Sequence, residues 1–433
     1  MSDSREVSRR DLLKGSTAAV AGLTLAGGLS FTRTAHAAGS DVVKIALIGC
    51  GGRGQGAAFD CLSANEQVKI VAVADAFEGN ARGAADRLNR TFKKEGKADV
   101  APDHVFVGLD AYKKAIDCGV DMIIQATPPG FRPAHYEYAI NAGKHVFMEK
   151  PCCVDAPGFN KLMKANKLAD EKGLKVVVGL QRRHDSGYQG GIEEIHNGKY
   201  GELILARVYW NGDGIWFRDR SPSETEMEYQ VKNWYHFAWL SGDNICEQHV
   251  HNLDVANWVM GDHPVKANGM GSCILRYKNR DPKKGMGQIF DNHFVEFTYK
   301  NGSKMLSQCR HIPNTWGGDG EQVHGSKGKG GVGGRGPKLK FSNAYEQEHY
   351  DLLQAIRNNE KRNEGWYGAT SSFTAVLGRM ATYSGKEVYW DELVAKGKTE
   401  MPDVLAWDAN PKVMPDKNGC YVIPTPGVYN PYA

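Results

Sequence analysis

Little in this chain points to nucleic acid, to a membrane-embedded body or to a metal cluster. Its formal net charge is only +4 over 433 residues, without the basic excess that a polyanion partner demands. None of its nine cysteines (50, 61, 118, 152, 153, 246, 273, 309 and 420) falls in a Cys-x-x-Cys pair, so neither a zinc ribbon nor a thioredoxin-type centre is indicated. A chain this long builds a core without disulfides. The cysteines therefore read as buried thiols. One or two bridges in an oxidising compartment, including a strained vicinal one at Cys152-Cys153, form the alternative. No later segment approaches the about 20 apolar residues of a membrane span. No repeat of solenoid period is evident, and the paired carboxylates of ordinary glycosidases are not recognisable.

What is present begins with a leader. Ser8-Arg9-Arg10-Asp11-Leu12-Leu13-Lys14 is a twin-arginine motif, the apolar stretch Ala18 to Leu29 follows, and Ala35-His36-Ala37 offers a small-residue cleavage site. This pattern predicts a signal peptide over 1–37 and export of the folded protein to the periplasm, with the twin-arginine machinery as a partner. Removing 1–37 takes away five Lys/Arg and three Asp/Glu and lowers the charge from +4 to +2.

From Val42 onward, strands and helices alternate. Expected strands are Val43 to Ile48, Val68 to Ala74, Met122 to Ala126 and His145 to Met148, with helices over Gly56–Ser63, Ala81–Lys94, Ala111–Cys118 and His135–Ala142. Buried apolar strands alternating with helices predict a parallel sheet in a right-handed α/β domain. A long helix over Ala156–Lys172 and a strand over Lys175–Gly179 follow. Aromatic, strand-like segments then appear at Leu203–Trp210, Ile274–Tyr277, Phe294–Tyr299 and Met305–Cys309, and late helices at Glu346–Arg357 and Ser371–Ser384. These read as a second α/β domain with an open, mainly antiparallel sheet. Residues 211–232 and 313–338 read as long loops, which in a compact domain are usually functional or mobile. The expected division is a Rossmann nucleotide-binding domain over 38–155, a substrate and oligomerisation domain over 156–400, and an extended tail over 401–433.

The loop after the first strand is Gly49-Cys50-Gly51-Gly52-Arg53-Gly54. Glycines here permit a tight turn and let backbone amides approach a pyrophosphate at a helix N-terminus. Asp75 ends the next strand 21 residues after Gly54. A carboxylate there accepts bonds from a ribose 2′-hydroxyl and repels a 2′-phosphate, which favours NAD over NADP. Arg53 is placed to approach the phosphates.

Further along come Glu149-Lys150-Pro151, and then Gly242-Asp243-Asn244-Ile245-Cys246-Glu247-Gln248-His249-Val250-His251-Asn252-Leu253-Asp254. With the glycine loop, these three separated motifs resemble the glucose–fructose oxidoreductase, inositol dehydrogenase and rhizopine catabolism (Gfo/Idh/MocA) family over essentially the whole chain after residue 37. The resemblance implies cofactor contacts at Gly49, Gly51, Gly52, Arg53, Gly54, Asp75, Thr127, Pro128, Glu149 and Lys150. It places Lys150 beside the nicotinamide and the substrate hydroxyl, and His251 of the His-x-x-Asp pattern as acid/base. Glu247 stands where the family often has Asp, which keeps the charge and lengthens the reach. A homodimer or tetramer is also implied.

The chemistry is consistent with those roles. A neutral imidazole accepts the proton of a secondary hydroxyl while hydride leaves, an ammonium stabilises the developing alkoxide, and in a helix Glu247 shares a face with His251 and orients it. If the segment were extended, Glu247, His249 and His251 would instead share one face as a metal triad. Arg182, Arg183 and His184 at a strand end, and Tyr235 and His236 in an aromatic stretch, are the candidate substrate-binding residues. Asp254 reads as structural.

Two enzymatic readings follow. The first is an exported oxidoreductase acting on a secondary hydroxyl of a sugar, glycoside or cyclitol through a tightly bound NAD. The second is an NAD-dependent glycosidase working by transient oxidation, elimination, water addition and re-reduction. A cofactor carried out of the cytoplasm favours chemistry that regenerates it in place.

Overall fold

The structure, a computed structural model, describes residues 42–274 and 287–432. The twin-arginine segment lies outside the described residues, as does most of the strand expected over 274–277.

The first domain is built on six parallel strands: β1 (Val43–Ile48), β2 (Val68–Asp75), β3 (Val105–Val107), β4 (Met122–Gln125), β5 (His145–Met148) and β6 (Val176–Val178). Their order is β3-β2-β1-β4-β5-β6. The order in which successive strands are added reverses between β1 and β4 while all strands stay parallel, and the glycine loop sits at that crevice, where such sheets bind ligands. Both faces are covered. Ile45, Leu47, Val73, Ile124 and Phe147 pack on the helices Gly52–Ala64 and Ala344–Arg357. Their neighbours Ala46, Ile48, Ala74, Ile123 and Val146 pack on the other face, against Tyr136, Ala139, Phe159 and Leu162. The helix Ala156–Lys172 has well-defined ends: Asp155 accepts from the Gly158 amide at its start, and Gly173 closes it at φ +66°, a left-handed turn that glycine adopts freely.

Two features differ from expectation. The strand after residue 155 joins the first sheet as β6, so the parallel sheet extends past the expected domain end. The helix Ala344–Arg357 also returns to this domain through Leu352, Leu353 and Ile356.

Among the described residues the second domain has seven strands: β7 (Leu203–Gly212), β8 (Pro264–Ser272), β9 (Asn292–Tyr299), β10 (Lys304–His311), β11 (Gly318–Gly325), β12 (Gly328–Gly331) and β13 (Val388–Tyr389). The order is β12-β11-β7-β10-β9-β8-β13. Only β7 and β10 pair in parallel. Alternate residues Ala206, Val208, Val295, Phe297 and Met305 face the helices Val250–Met260 and Gly365–Ser384 and join the core of the first domain. The expected loop over 313–338 therefore holds a hairpin. Its glycines hid it from β-propensity, but they serve close packing: a Cβ on Gly325 would lie 2.2 Å from the Tyr200 carbonyl oxygen. All nine cysteines are free thiols, so neither the vicinal bridge nor any other is formed. No helix among the described residues is long and apolar enough to cross a membrane.

Candidate active site

The glycine loop fits a dinucleotide. Gly49 has φ +93°, and a Cβ there would lie 2.5 Å from the Ala126 carbonyl carbon. On Gly54, a Cβ would lie 1.9 Å from the Gly49 oxygen. These two glycines lock the loop against the start of the helix Gly52–Ala64. Gly51 and Gly52 instead face open space, which leaves the amides of a helix N-terminus accessible to phosphate. Asp75 anchors the neighbouring turn: Oδ2 accepts from the Cys50 amide at 2.7 Å, and Oδ1 accepts from the Phe77 amide at 2.9 Å and Asn80 Nδ2 at 3.2 Å. A carboxylate with about four acceptor positions retains capacity for a ribose hydroxyl. The cavity, about 400 Å³, is lined by Gly49, Gly51, Gly52, Arg53, Asp75, Thr127 and Pro128 among others.

Arg53 lines this cavity while tied to Glu149, its Nε donating to Oε1 at 2.5 Å, with Asp60 and Glu348 at 3.6 and 3.7 Å. Burial would lower its pKa, but Glu149 and Glu348 outweigh that and raise it. Arg132, which sequence reasoning missed, holds the floor. Fully buried, it donates to the Thr127 carbonyl at 2.8 Å and to those of Glu149 and Pro151 at 3.0 and 2.7 Å, fixing the β4 and β5 loops together.

Lys150 ends the β5 turn and reaches the second domain. Its Nζ donates to the Glu247 carbonyl at 2.5 Å and to Glu247 Oε1 at 3.2 Å. His251 stands in the first turn of the helix Val250–Met260, buried, its ring 6.1 Å from that of Trp210. Burial, and then the charges of Lys150 and Arg182, hold its pKa well below 6.5, so it is neutral at physiological pH. Burial raises the Glu247 carboxyl and Lys150 opposes that. Glu247 Oε2 and His251 Nδ1 are buried without a hydrogen-bond partner in the protein. The carboxylate thus positions Lys150 and makes no hydrogen bond to His251, a correction to its expected orienting role.

The metal triad does not form. Residues Asn244–Glu247 and Val250–Met260 are helical, and His249 turns to Ser307 Oγ (2.8 Å) and Asn252 Oδ1 (3.2 Å). Among the described residues no group of three His, Cys, Asp or Glu is arranged to hold a metal ion.

The expected substrate ligands divide. Arg182 lies at the cleft, held by Asp319 at 2.8 Å and by Glu321. Arg183 is taken up by Asp254, with Nε to Oδ2 at 2.9 Å and NH2 to Oδ1 at 2.9 Å. His184 lies between Asp351 (2.6 Å) and Glu364 (3.3 Å). Tyr235 bonds His311 Nε2 at 3.1 Å, and His236 Nε2 bonds the Trp216 carbonyl at 2.7 Å. Arg183 and His184 are thus structural ion pairs rather than substrate ligands, and Tyr235 and His236 support a neighbouring segment.

The hairpin supplies what was missed. Asp319 stands opposite Trp210 in the β11–β7 register. Asn252, next to His251, donates to Asp319 at 2.9 Å and to Glu321 at 2.8 Å, and Tyr188 donates to Glu321 at 3.1 Å. The Asp319 side chain is 49% exposed and that of Glu321 only 3%. Trp210 and Asp319 therefore form a wall beside His251 with one accessible carboxylate. The acid-x-acid spacing of Asp319 and Glu321 was the available signal, since alternate strand residues share a face.

Comparison with known proteins agrees with the dinucleotide-binding fold of the first domain. Residues 43–180 match the Gfo/Idh/MocA family, described as an oxidoreductase family with an NAD-binding Rossmann fold. An inositol 2-dehydrogenase of Rhizobium meliloti (strain 1021) is 27% identical over 66% of this chain and 74% of that protein. The scyllo-inositol 2-dehydrogenase (NAD(+)) of Bacillus subtilis (strain 168) is 25% identical over 54% of this chain and 58% of its own length. The crystal structure of scyllo-inositol dehydrogenase from Lactobacillus casei with bound NAD(H) and scyllo-inositol shares the fold. Its TM-score is 0.60 at 18% identity, covering 82% of this chain and 99% of that one.

Proposed function

We propose that this chain, an NAD-dependent oxidoreductase of the Gfo/Idh/MocA type, removes hydride from a secondary hydroxyl of a cyclitol or sugar. The observation that carries the reading is the meeting of Lys150 from the first domain with Glu247 of the second, Lys150 standing next to Glu149, which holds the cavity-lining Arg53. Bound NAD supplies the hydride acceptor. His251, neutral and buried, accepts the hydroxyl proton. The Lys150 ammonium, held by Glu247, stabilises negative charge on the substrate oxygen as the C–O bond becomes a carbonyl. Trp210 and Asp319 offer an apolar face and an acceptor for neighbouring hydroxyls, a pairing suited to a polyol ring. The two inositol-acting relatives support a cyclitol as substrate, and the twin-arginine motif supports export of the folded, cofactor-loaded protein.

The test is a cofactor and turnover assay on protein purified without added nucleotide. NAD should be released on denaturation, and NADH should form when myo-inositol, scyllo-inositol or a free sugar is supplied with NAD. Aglycone release from nitrophenyl glycosides without external NAD would replace the dehydrogenase reading with the glycosidase one. Protein that neither holds nor uses NAD would overturn both.

Substrate selection by Asp319 gives a separate expectation. Asp319→Asn should raise KM about tenfold or more while kcat changes little, because hydrogen bonds to a charged group contribute about 1.5–3 kcal/mol. An unchanged KM would remove Asp319 from the substrate wall.

A further inference from the structure

The second domain supplies one part of the dinucleotide cavity's lining. Lining the cavity together with Asp75 and Phe77 are Trp216, Arg218, Val231 and Trp234. Trp216 is held firmly: its carbonyl accepts from His236, and its ring meets Trp234 edge-on at 6.0 Å and His236 at 6.1 Å. Yet it is 44% exposed on a cavity wall. Arg218 stacks over it at 5.4 Å, and its backbone is clamped by Asn233, which accepts from the Arg218 amide at 2.9 Å and donates to its carbonyl at 3.0 Å. Among the described residues its guanidinium enters no salt bridge. The C-terminal tail backs this segment. Gln230 donates to the Val413 carbonyl at 2.7 Å, Arg220 donates to the Tyr421 hydroxyl at 3.0 Å, and Trp407 packs on Phe77 at 5.4 Å.

We propose that residues 213–237 form a roof over the adenosine half of NAD, in which Trp216 stacks on the adenine and Arg218 offsets phosphate charge, so that the cofactor leaves only when the roof opens. The inference rests on the NAD-dependent reading above and extends it to residues outside the nucleotide-binding domain. An aromatic face on a cavity wall suits a nucleobase, and an unpaired guanidinium suits phosphate. The Asp75 turn already fixes where the ribose lies, which places both groups at the same end of the cofactor. The roof also explains why Tyr235 and His236 are buried side chains: they hold the roof's backbone rather than the substrate.

The full chain, loaded with NAD and rapidly desalted, reports the rate of NAD release. Trp216→Ala should release it about tenfold faster or more, and Trp216→Phe should stay within about threefold of the parent by keeping a stacking face. Arg218→Gln should weaken NAD binding and flatten its dependence on salt. Equal release rates for the parent and a folded Trp216→Ala variant would overturn the roof while leaving NAD dependence intact. Should Trp216→Ala fail to fold, Trp216→Leu, which keeps apolar bulk without a ring, replaces it: unchanged release would again overturn the proposal. A parent that binds no NAD would overturn the enzymatic reading with it.

Discussion

His251→Asn and Lys150→Met should each lower kcat by about a hundredfold or more, with a smaller change in KM. A positioned general base contributes about 10²–10⁴-fold, and one oriented charge at a developing oxyanion about 10²–10³-fold. His251 is buried and the Lys150 side chain is only 13% exposed. Asparagine keeps a polar group of similar reach but accepts no proton. Methionine keeps the Lys150 stem and removes the ammonium. Measured under saturating NAD, an unaltered kcat for either variant would remove that residue from the chemistry.

The pH profile separates the two roles. Burial, with Lys150 and Arg182, lowers the pKa of His251 well below 6.5. The base is therefore ready throughout the neutral range, and the acid limb of kcat/KM should fall well below pH 6.5. Removing the Lys150 charge relieves part of that depression, so in Lys150→Met the residual activity should lose its acid limb at a higher pH than the parent. An acid limb that stays in place would mean that another group is the base.

How much of this was legible in the sequence depended on how far apart the interacting residues lie. The β1 strand, the glycine loop and Asp75 form one local βαβ unit, and both period and residue type announce it. Lys150 and His251 were singled out because each stands in a short motif, and the structure joins Lys150 to Glu247, four residues before His251. Arg183 and His184 were misread as ligands because a charge in sequence does not reveal its partner: Asp254, Asp351 and Glu364 arrive from distant helices. The roof and the β11–β12 hairpin were missed for a related reason. Glycine-rich and aromatic stretches have weak local preference, and what fixes them is contact, as where Gly325 packs on Tyr200 or His236 holds Trp216. Residues 244–247 and 250–260 are helical rather than extended, and the Asp243 carboxylate accepts from the Asn244 amide at the start of the first helix.

His184→Gln should destabilise the fold by about 3 kcal/mol or more near pH 6, the scale of breaking a buried ion pair, without raising the substrate KM of the folded enzyme. The ring joins three elements. Nδ1 meets Asp351 on the helix Ala344–Arg357, Nε2 meets Glu364 before the helix Gly365–Ser384, and Glu364 also accepts from the Val178 amide at the end of β6 at 3.2 Å. Burial would lower the His184 pKa, but Glu364 and Asp351 outweigh it and raise it to about 10. Burial likewise opposes ionisation of Glu364, and His184 overrides it, lowering that carboxyl to about 2. A raised histidine stabilises the fold fully below its unfolded value of 6.5 and loses that contribution as pH climbs toward 10. The lowered Glu364 contributes above 4.5 and loses its share as pH falls toward 2. The pair is therefore strongest between about pH 4.5 and 6.5. Urea unfolding of the parent and His184→Gln should show a wide stability gap at about pH 6 that narrows by about pH 10 as the parent's own ring loses its proton. A gap of the same size at both pH values would mean that His184 acts by shape and neutral hydrogen bonds alone. A folded variant with raised substrate KM would return the residue to the binding site that its place in the sequence suggested.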